Sequence, residues 1–341
     1  MSSPRFWKHH VRRRATAFWL ALTGRSPVIC SNVLRPGDRA LYVSNGSGDS
    51  QPSHDYDHPG RTSTAAAERL PSCLCTEAQL ESPAFRYWID QLGEEFSLHR
   101  KHWELAYVAQ ALYERGMLQP GRRGLGFAVG QEPIPGLFAQ LGCEILATDL
   151  DAQDKRSLVW KESGQHLSSA LQRDTNGSPS SRRVTFRSVD MNNIPEDLTG
   201  FDFTWSTCSF EHCGSIRLGQ EFIWNQMRCL KPGGIAIHTT EFNLTSDTST
   251  LDNTGTVIFR RRDIEQIVQS LIESGHSVEP LSLDPGSGTM DRHIDWPPFS
   301  GDQHLRLMLI RYAATSIGLI IRKADSPNQH NLVLPNATRS H

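Results

Sequence analysis

Three groups of residues in this 341-residue chain could do chemistry. The first is a run of small residues followed by carboxylates: Gly124, Gly126, Ala128, Gly130 and Glu132, then Asp149 about twenty residues past the turn. A residue without a Cβ lets a ligand approach the backbone closely, and a carboxylate at the next strand end can accept from two ribose hydroxyls. The second group is His238 with Glu241, at the end of an apolar run. The third is His212, beside Glu211. Histidine exchanges protons near neutral pH, so either histidine is a candidate general base for an alcohol or phenol, with Glu241 orienting it or sharing the role.

The first group lies in GLGFAVGQEPIPGLFAQLGCEILATDLD, which divides into an apolar run (Leu125 to Val129), a glycine turn (Gly130 to Glu132), a segment suited to a helix and a second apolar run (Ile145 to Ala147). That order is the βαβ arrangement that binds a nucleoside-containing cofactor. Dinucleotide sites want G-x-G-x-x-G, because a pyrophosphate must sit on helix N-terminal amides. Here glycine or alanine falls at every second position, and Glu132 stands where phosphates would go. A carboxylate there would repel a pyrophosphate and suit a cofactor carrying an ammonium and a sulfonium, which disfavours an NAD(P)-linked oxidoreductase. The stretch resembles motif I of class I S-adenosylmethionine (SAM) dependent methyltransferases. It departs from that motif in two ways: the acidic residue the family usually carries ahead of its glycines is Gly126, and Ala128 and Glu132 stand at two of the usual glycine places. The missing carboxylate keeps a catalytically inactive binding or scaffold module in view.

The resemblance continues in chain order from roughly Pro83 to Lys323. It implies an α/β fold: a Rossmann-like seven-stranded methyltransferase sheet, mostly parallel, with a C-terminal antiparallel hairpin and N-terminal helices. It implies SAM as cofactor, bound by Gly126, Phe127, Ala128, Gly130 and Glu132 at the turn and by Asp149, at the ribose hydroxyls, and Leu150 at the next strand end. Asp190 and Met191 follow at a third strand end, where a carboxylate can accept from the adenine amine and an apolar side chain can pack on the ring. Phe201 to His212, FDFTWSTCSFEH, looks like the family's fourth strand and exit loop, which places Thr207 and Cys208 beside the adenosine and methionine portions. Lys231-Pro232-Gly233-Gly234 looks like the family's turn between a helix and the next strand, Ile235 to Ile237. The likeness points to a bacterial enzyme, with a small molecule or glycan as acceptor and an oxygen nucleophile.

Other elements must position these groups. Trp7, Val11, Phe18 and Leu22 share one side of a basic N-terminal arm, which can lie loosely docked or touch a membrane surface. Residues 43 to 68 are rich in Ser, Gly, Asp, His and Pro and read as a disordered linker, so the arm and linker fill residues 1–76 and the domain runs over residues 77–323. Leu105, Val108, Ala109 and Leu112 mark a helix ahead of the first strand, with His99, Lys101, His102 and Trp103 near its start; these could face the site, although most read as a solvated face. A helical region spans Lys155 to Arg173. Ile264, Ile267, Val268, Leu271 and Ile272 mark another helix, closed by Gly275, with Arg260, Arg261 and Arg262 as a solvated start. Val278 to Leu283 and Leu305 to Ile321 are expected as the closing hairpin, and the loop between them, with His293, Asp295 and Trp296, as a substrate lid. Residues 324–341 read as a flexible tail.

A net charge of −2 gives no electrostatic case for nucleic acid, and no apolar run is long enough for a spanning helix. Seven cysteines without paired C-x-x-C spacing argue against a disulfide framework or structural zinc and for a reducing cytoplasm. The acidic residues show no metal-ligand spacing.

Overall fold

The computed structural model describes residues 69–158, 183–299 and 303–325. The basic arm, the linker, most of the Lys155–Arg173 region and the tail beyond 325 lie outside the described residues. Strands are β1 (Ser72–Leu74), β2 (Leu98–His99), β3 (Arg123–Gly126), β4 (Glu144–Asp149), β5 (Val184–Ser188), β6 (Phe201–Thr207), β7 (Leu230–Asn243), β8 (Ser277–Val278), β9 (Leu281–Ser282), β10 (Gln303–His304), β11 (Leu307–Leu309) and β12 (Tyr312–Arg322). Helices are α1 (Glu77–Glu81), α2 (Pro83–Gln91), α3 (Arg100–Glu114), α4 (Ile134–Gln140), α5 (Ile216–Gln226), α6 (Arg261–Glu273) and α7 (Thr289–Arg292).

The main sheet runs in the order β5-β4-β3-β6-β7-β12-β1-β9. Strands β5 to β7 along that path are parallel, and β12 enters antiparallel against β7. The fold is therefore the expected α/β class with a mostly parallel Rossmann-like sheet. Chain order proceeds outward from β3 to β5, then returns to β6 on the other side of β3. That reversal opens a crevice at the carboxyl ends of β3 and β6, where open α/β sheets bind ligands.

Both faces are covered. The helices α1 to α4 bury Trp88, Trp103, Val108 and Phe138 on one side, and α5 and α6 bury Phe222, Ile223, Ile264 and Ile267 on the other. The apolar period of α6 is as the spacing predicts, and Gly275 closes it at φ 85°. No helix of the described residues is long and apolar enough to cross a membrane.

The chain order of elements follows the sequence reading, but details differ. β1 lies inside the segment expected as linker: Ser72–Leu74 is buried and pairs with both β12 and β9. Lys231-Pro232-Gly233-Gly234 is not the stop of α5, which ends at Gln226. It is an irregularity inside β7, between the pairs Phe201↔Leu230 and Phe203↔Ile235, with Gly233 at φ 71°. The stretch Leu305–Ile321 is not one strand. It folds at Ile310, φ 58°, into the tight hairpin β11–β12, while β8 pairs with the far end of β12 and β9 with β1.

Candidate functional site

A cavity of about 560 Å³ opens at the carboxyl ends of the parallel strands. Ala128, Gly130 and Glu132 from the turn after β3 line it, as do Asp149 and Leu150 from the end of β4. Asp190 and Met191 after β5, and Thr207 and Cys208 at the end of β6, complete that wall. His212 and Glu241 line the cavity as well. Gly126, Phe127 and His238 do not.

Each of those three has a structural reason. In the β3–β6 ladder Gly124 is paired with Phe203 and Gly126 with Trp205. A Cβ on Gly126 would fall 2.4 Å from the Trp205 ring and 2.5 Å from Val129, and one on Gly124 would fall 2.4 Å from the Phe203 ring. These glycines make room for two aromatic rings on the neighbouring strand, and the carboxylate absent at position 126 has no space. Phe127 is fully buried, edge-on to Phe222 at 5.1 Å. The backbone is aimed at the cavity by the next residues. Ala128 (φ 48°) and Gly130 (φ 53°) are left-handed, and the Val129 amide donates to the Thr148 carbonyl at 3.0 Å. Holding an alanine there costs on the order of 1–2 kcal/mol, which the surrounding ladder must offset.

His238 and Glu241 part company by strand parity. Side chains alternate across a sheet, so residues three apart on β7 point to opposite faces. His238 turns toward α5, with Phe210 and Phe222 edge-on to its ring and Nδ1 2.8 Å from the Ser206 hydroxyl. It has no exposure, and burial pushes its pKa down to about 3. A neutral core histidine out of reach of the cavity replaces the expected general base. Glu241 turns the other way, toward α3.

On that side lies a buried charge cluster. Arg100 pairs with Glu241 and, at 3.1 Å, with Glu104; Lys101 reaches Glu104 at 2.7 Å and Glu132 at 3.4 Å. Thr207 donates its hydroxyl to Glu132, and the Cys208 thiol donates to Glu104 at 2.9 Å. Burial alone would raise the Glu104 pKa, but Lys101 and Arg100 outweigh it and hold the group at about 2. For Glu241 burial wins: its pKa is raised, with Arg100 offsetting only part of the penalty. Glu211 is also raised, first by burial and then by the charge of Glu241; its Oε2 accepts from the Thr240 hydroxyl at 3.0 Å. Ligand atoms of Cys208, Glu211 and Glu241 lie within 4.8 Å of one another. Arg100 stands against two of the three, its Nη1 3.4 Å from the Cys208 sulfur, so the positive charge beside this trio is a guanidinium.

His212, in the turn between β6 and α5, is fixed by the loop between β7 and α6. Its Nδ1 bonds the Gly255 carbonyl at 2.9 Å, which makes Nε2 the proton-accepting nitrogen. Burial lowers its pKa to about 4, against the raising effect of that bond. Asp149 accepts the Leu150 amide at 2.8 Å through Oδ1. Asp190 caps Asn192 at 2.9 Å and pairs with Arg156 at 2.7 Å, so the turn-capping role and a place on the cavity wall coexist.

Arg100 on the cavity wall and its partner Glu104 escaped the sequence reading. Arg100 and Glu104, four apart on α3, interrupt a helix whose neighbours Trp103, Leu105 and Val108 are core, and that interruption was the available signal. His99 and Lys101 line the cavity, whereas His102 and Trp103 are buried away from it. From the expected lid, His304 and Phe299 reach the wall. His304 is paired with Asp295 at 2.7 Å and stacked on His99 at 4.8 Å, because β10 pairs with β2. Trp296 is half exposed and His293 is exposed. The three arginines at 260–262 stay at the α6 surface, where Arg260 pairs with Asp263 and Arg261 with Glu265.

No family model matches the chain, and no curated protein matches it. Solved structures do. Phosphoethanolamine N-methyltransferase 2 of Haemonchus contortus, in complex with SAM, is 16% identical with a TM-score of 0.43; the match covers 73% of this chain and 58% of that one. Magnesium protoporphyrin IX methyltransferase of Synechocystis PCC 6803, with bound SAM, is 13% identical with a TM-score of 0.40, covering 72% of this chain and 94% of that one. A SAM-dependent methyltransferase from Mesorhizobium loti is 13% identical with a TM-score of 0.41, covering 63% and 98%. At such scores the strand order and the cavity wall, rather than these likenesses, carry the assignment of the fold.

Proposed function

We propose that this chain is a SAM-dependent methyltransferase that acts on a small-molecule or glycan acceptor through an oxygen nucleophile. One observation carries the reading: the turn at Ala128–Gly130 and the carboxylate of Asp149 share a single cavity wall with Asp190, Met191 and Thr207. Glu132 on the same wall argues against a pyrophosphate. The scaffold alternative drew on the missing carboxylate at Gly126, which Trp205 accounts for by packing.

The residues present fit the group. Asp149 would hold the ribose hydroxyls, Met191 and Leu150 would cover the adenine, and the left-handed turn would bring backbone to the methionine part. Bound SAM would supply a methyl already activated by a sulfonium. The chain's own part is alignment, exclusion of water and removal of a proton from the acceptor hydroxyl. His212 is the base we assign: it is neutral at physiological pH, its tautomer is set by Gly255, and it lines the cavity. Glu241, held by Arg100, shapes the charge around it. All six described cysteines are unpaired, in keeping with a reducing compartment.

Isothermal titration tests the reading. SAM and its demethylated product should bind in the micromolar range, and a methyl-transfer screen over sugars, phenols and acids should find a hydroxyl acceptor. Absence of binding heat at high ligand concentration refutes it.

A further inference from the structure

Beyond the cofactor wall, the cavity has an acidic end that the cofactor reading leaves unused. Glu211 is 1% exposed and lines the cavity. Its Oε2 is satisfied by Thr240, but its Oε1 has no hydrogen-bond partner. The nearest basic atom is His212 Nε2 at 3.9 Å, on a ring that burial keeps neutral. A buried acceptor left without a donor costs roughly 1–3 kcal/mol, more when charged, so a donor brought by a ligand would recover that cost. The charge count points the same way. Four carboxylates (Glu104, Glu132, Glu211 and Glu241) meet two cations, Arg100 and Lys101, which lie against Glu104, Glu132 and Glu241. Glu211 has no cation of its own among the described residues. Elsewhere on the lining of the same cavity His99 and His304 stack at 4.8 Å, with Phe299 edge-on to His304 at 5.3 Å. Carboxylates and aromatic rings lining one cavity are the chemistry that receives an organic cation.

We propose that the acceptor carries a protonated amine, and that Glu211, with Glu241 behind it, is the ammonium subsite of this cavity. The inference rests on the methyl-transfer reading and narrows it: the substrate is an amino alcohol or amino sugar, anchored by its ammonium beside the hydroxyl that His212 addresses. Burial, with the charge of Glu241 added to it, keeps Glu211 largely protonated near neutrality, while Glu241, raised by burial and opposed by Arg100, is only partly so. The ionisable groups facing them are Arg100, Lys101 and Glu104 from α3, Glu132 from the turn after β3, and Cys208, His212 and Cys213 after β6. A cation favours the ionised carboxylates, so its binding releases a proton to solvent and strengthens as pH rises toward 8.

The test is titration of the full chain with 2-aminoethanol as probe and ethylene glycol as its uncharged counterpart. It is run with and without saturating S-adenosylhomocysteine, in buffers of different ionisation heat. The amine should bind with net proton release, the glycol should not, and Glu211→Gln should weaken the amine at least tenfold while leaving S-adenosylhomocysteine affinity unchanged. Glu211→Asp, which keeps the charge, should retain a measurable part of the binding if Gln folds poorly. Equal binding of amine and glycol, unaltered amine binding in Glu211→Gln, or no heat with the amine would each overturn the proposal. So would magnesium or zinc raising the melting temperature in wild type but not in Glu211→Gln with the amine inert. If S-adenosylhomocysteine fails to bind while the amine binds, the cofactor reading falls and the subsite stands.

Discussion

Replacing Gly126 by alanine puts the packing account to its sharpest test. The new Cβ would lie 2.4 Å from Trp205 Cζ2, 2.8 Å from its Cε2 and 2.5 Å from Val129 Cγ1, all well inside van der Waals contact. The indole cannot swing away cheaply, because Phe138 packs edge-on at 5.3 Å and Phe203 lies at 5.8 Å. Overpacking of this kind costs typically about 1–3 kcal/mol, and the rigid neighbours place it in the upper part of that range. For a domain of this size each kcal/mol moves the melting temperature by about 2–4 °C, so Gly126→Ala should lose about 5–10 °C by differential scanning calorimetry. Trp205→Phe removes the offending ring atoms, so in the double variant part of the loss should return, with a coupling of at least about 1 kcal/mol. Because Val129 sits between Ala128 and Gly130, the same push should weaken S-adenosylhomocysteine binding. A melting temperature within about 1 °C of wild type, or strict additivity in the double variant, would refute the steric reasoning.

Further outcomes are expected. Asp149→Ala should weaken S-adenosylhomocysteine about 10- to 100-fold by titration, the worth of one or two charge-assisted hydrogen bonds. His212→Gln should keep that affinity and lose about 10² to 10⁴ in turnover with the acceptor found by screening, whereas unchanged turnover would reassign the base. His238→Gln should change neither cofactor affinity nor turnover by more than about twofold, while costing on the order of 1 kcal/mol in thermal melts. Stability should fall as pH rises from about 6.5 to about 8. Glu211 and Glu241 have folded pKa values raised to about 8 and about 7, so their contribution is full below the unfolded value near 4.5, is lost progressively from there, and is gone once pH has passed the folded values; the part of that loss above 6.5 is the part the histidines leave unmasked. His212 and His238, lowered to about 4 and about 3, add stability that is complete above their unfolded value of 6.5 and therefore do not change there. Glu211→Gln should flatten the slope, and melts at several pH values would show it.

Much of the fold was readable because each parallel strand is a short apolar run that ends in a distinctive residue, as at Asp149, Asp190 and Cys208. Four misreadings have physical causes. Small residues at 124 and 126 look alike whether a ligand or a Phe203–Trp205 pair fills the space beside them, and only the cross-strand register separates the two. His238 and Glu241 look like one pair in the sequence, although a spacing of three on a strand already sends them to opposite faces. Arg100 and Glu104 break the apolar pattern of α3, but only the tertiary partner Glu241 on β7 shows that the break is a buried ion-pair cluster. β1 is too short for its pattern to stand out from the polar stretch before it; β12 and β9 hold it in the sheet.

Cys208 has a consequence for reagents. Its sulfur lies on the cavity wall in a left-handed turn, φ 45°, and would invite covalent labelling if it ionised readily. Burial and the adjacent Glu104 drive its pKa well above the ordinary thiol value, and its hydrogen is committed to that carboxylate. Thiolate is the nucleophile in alkylation and peroxide chemistry, so the wall should stay inert to haloacetamides and mild oxidants. An electrophilic inhibitor aimed at this crevice would need a target other than its sulfur.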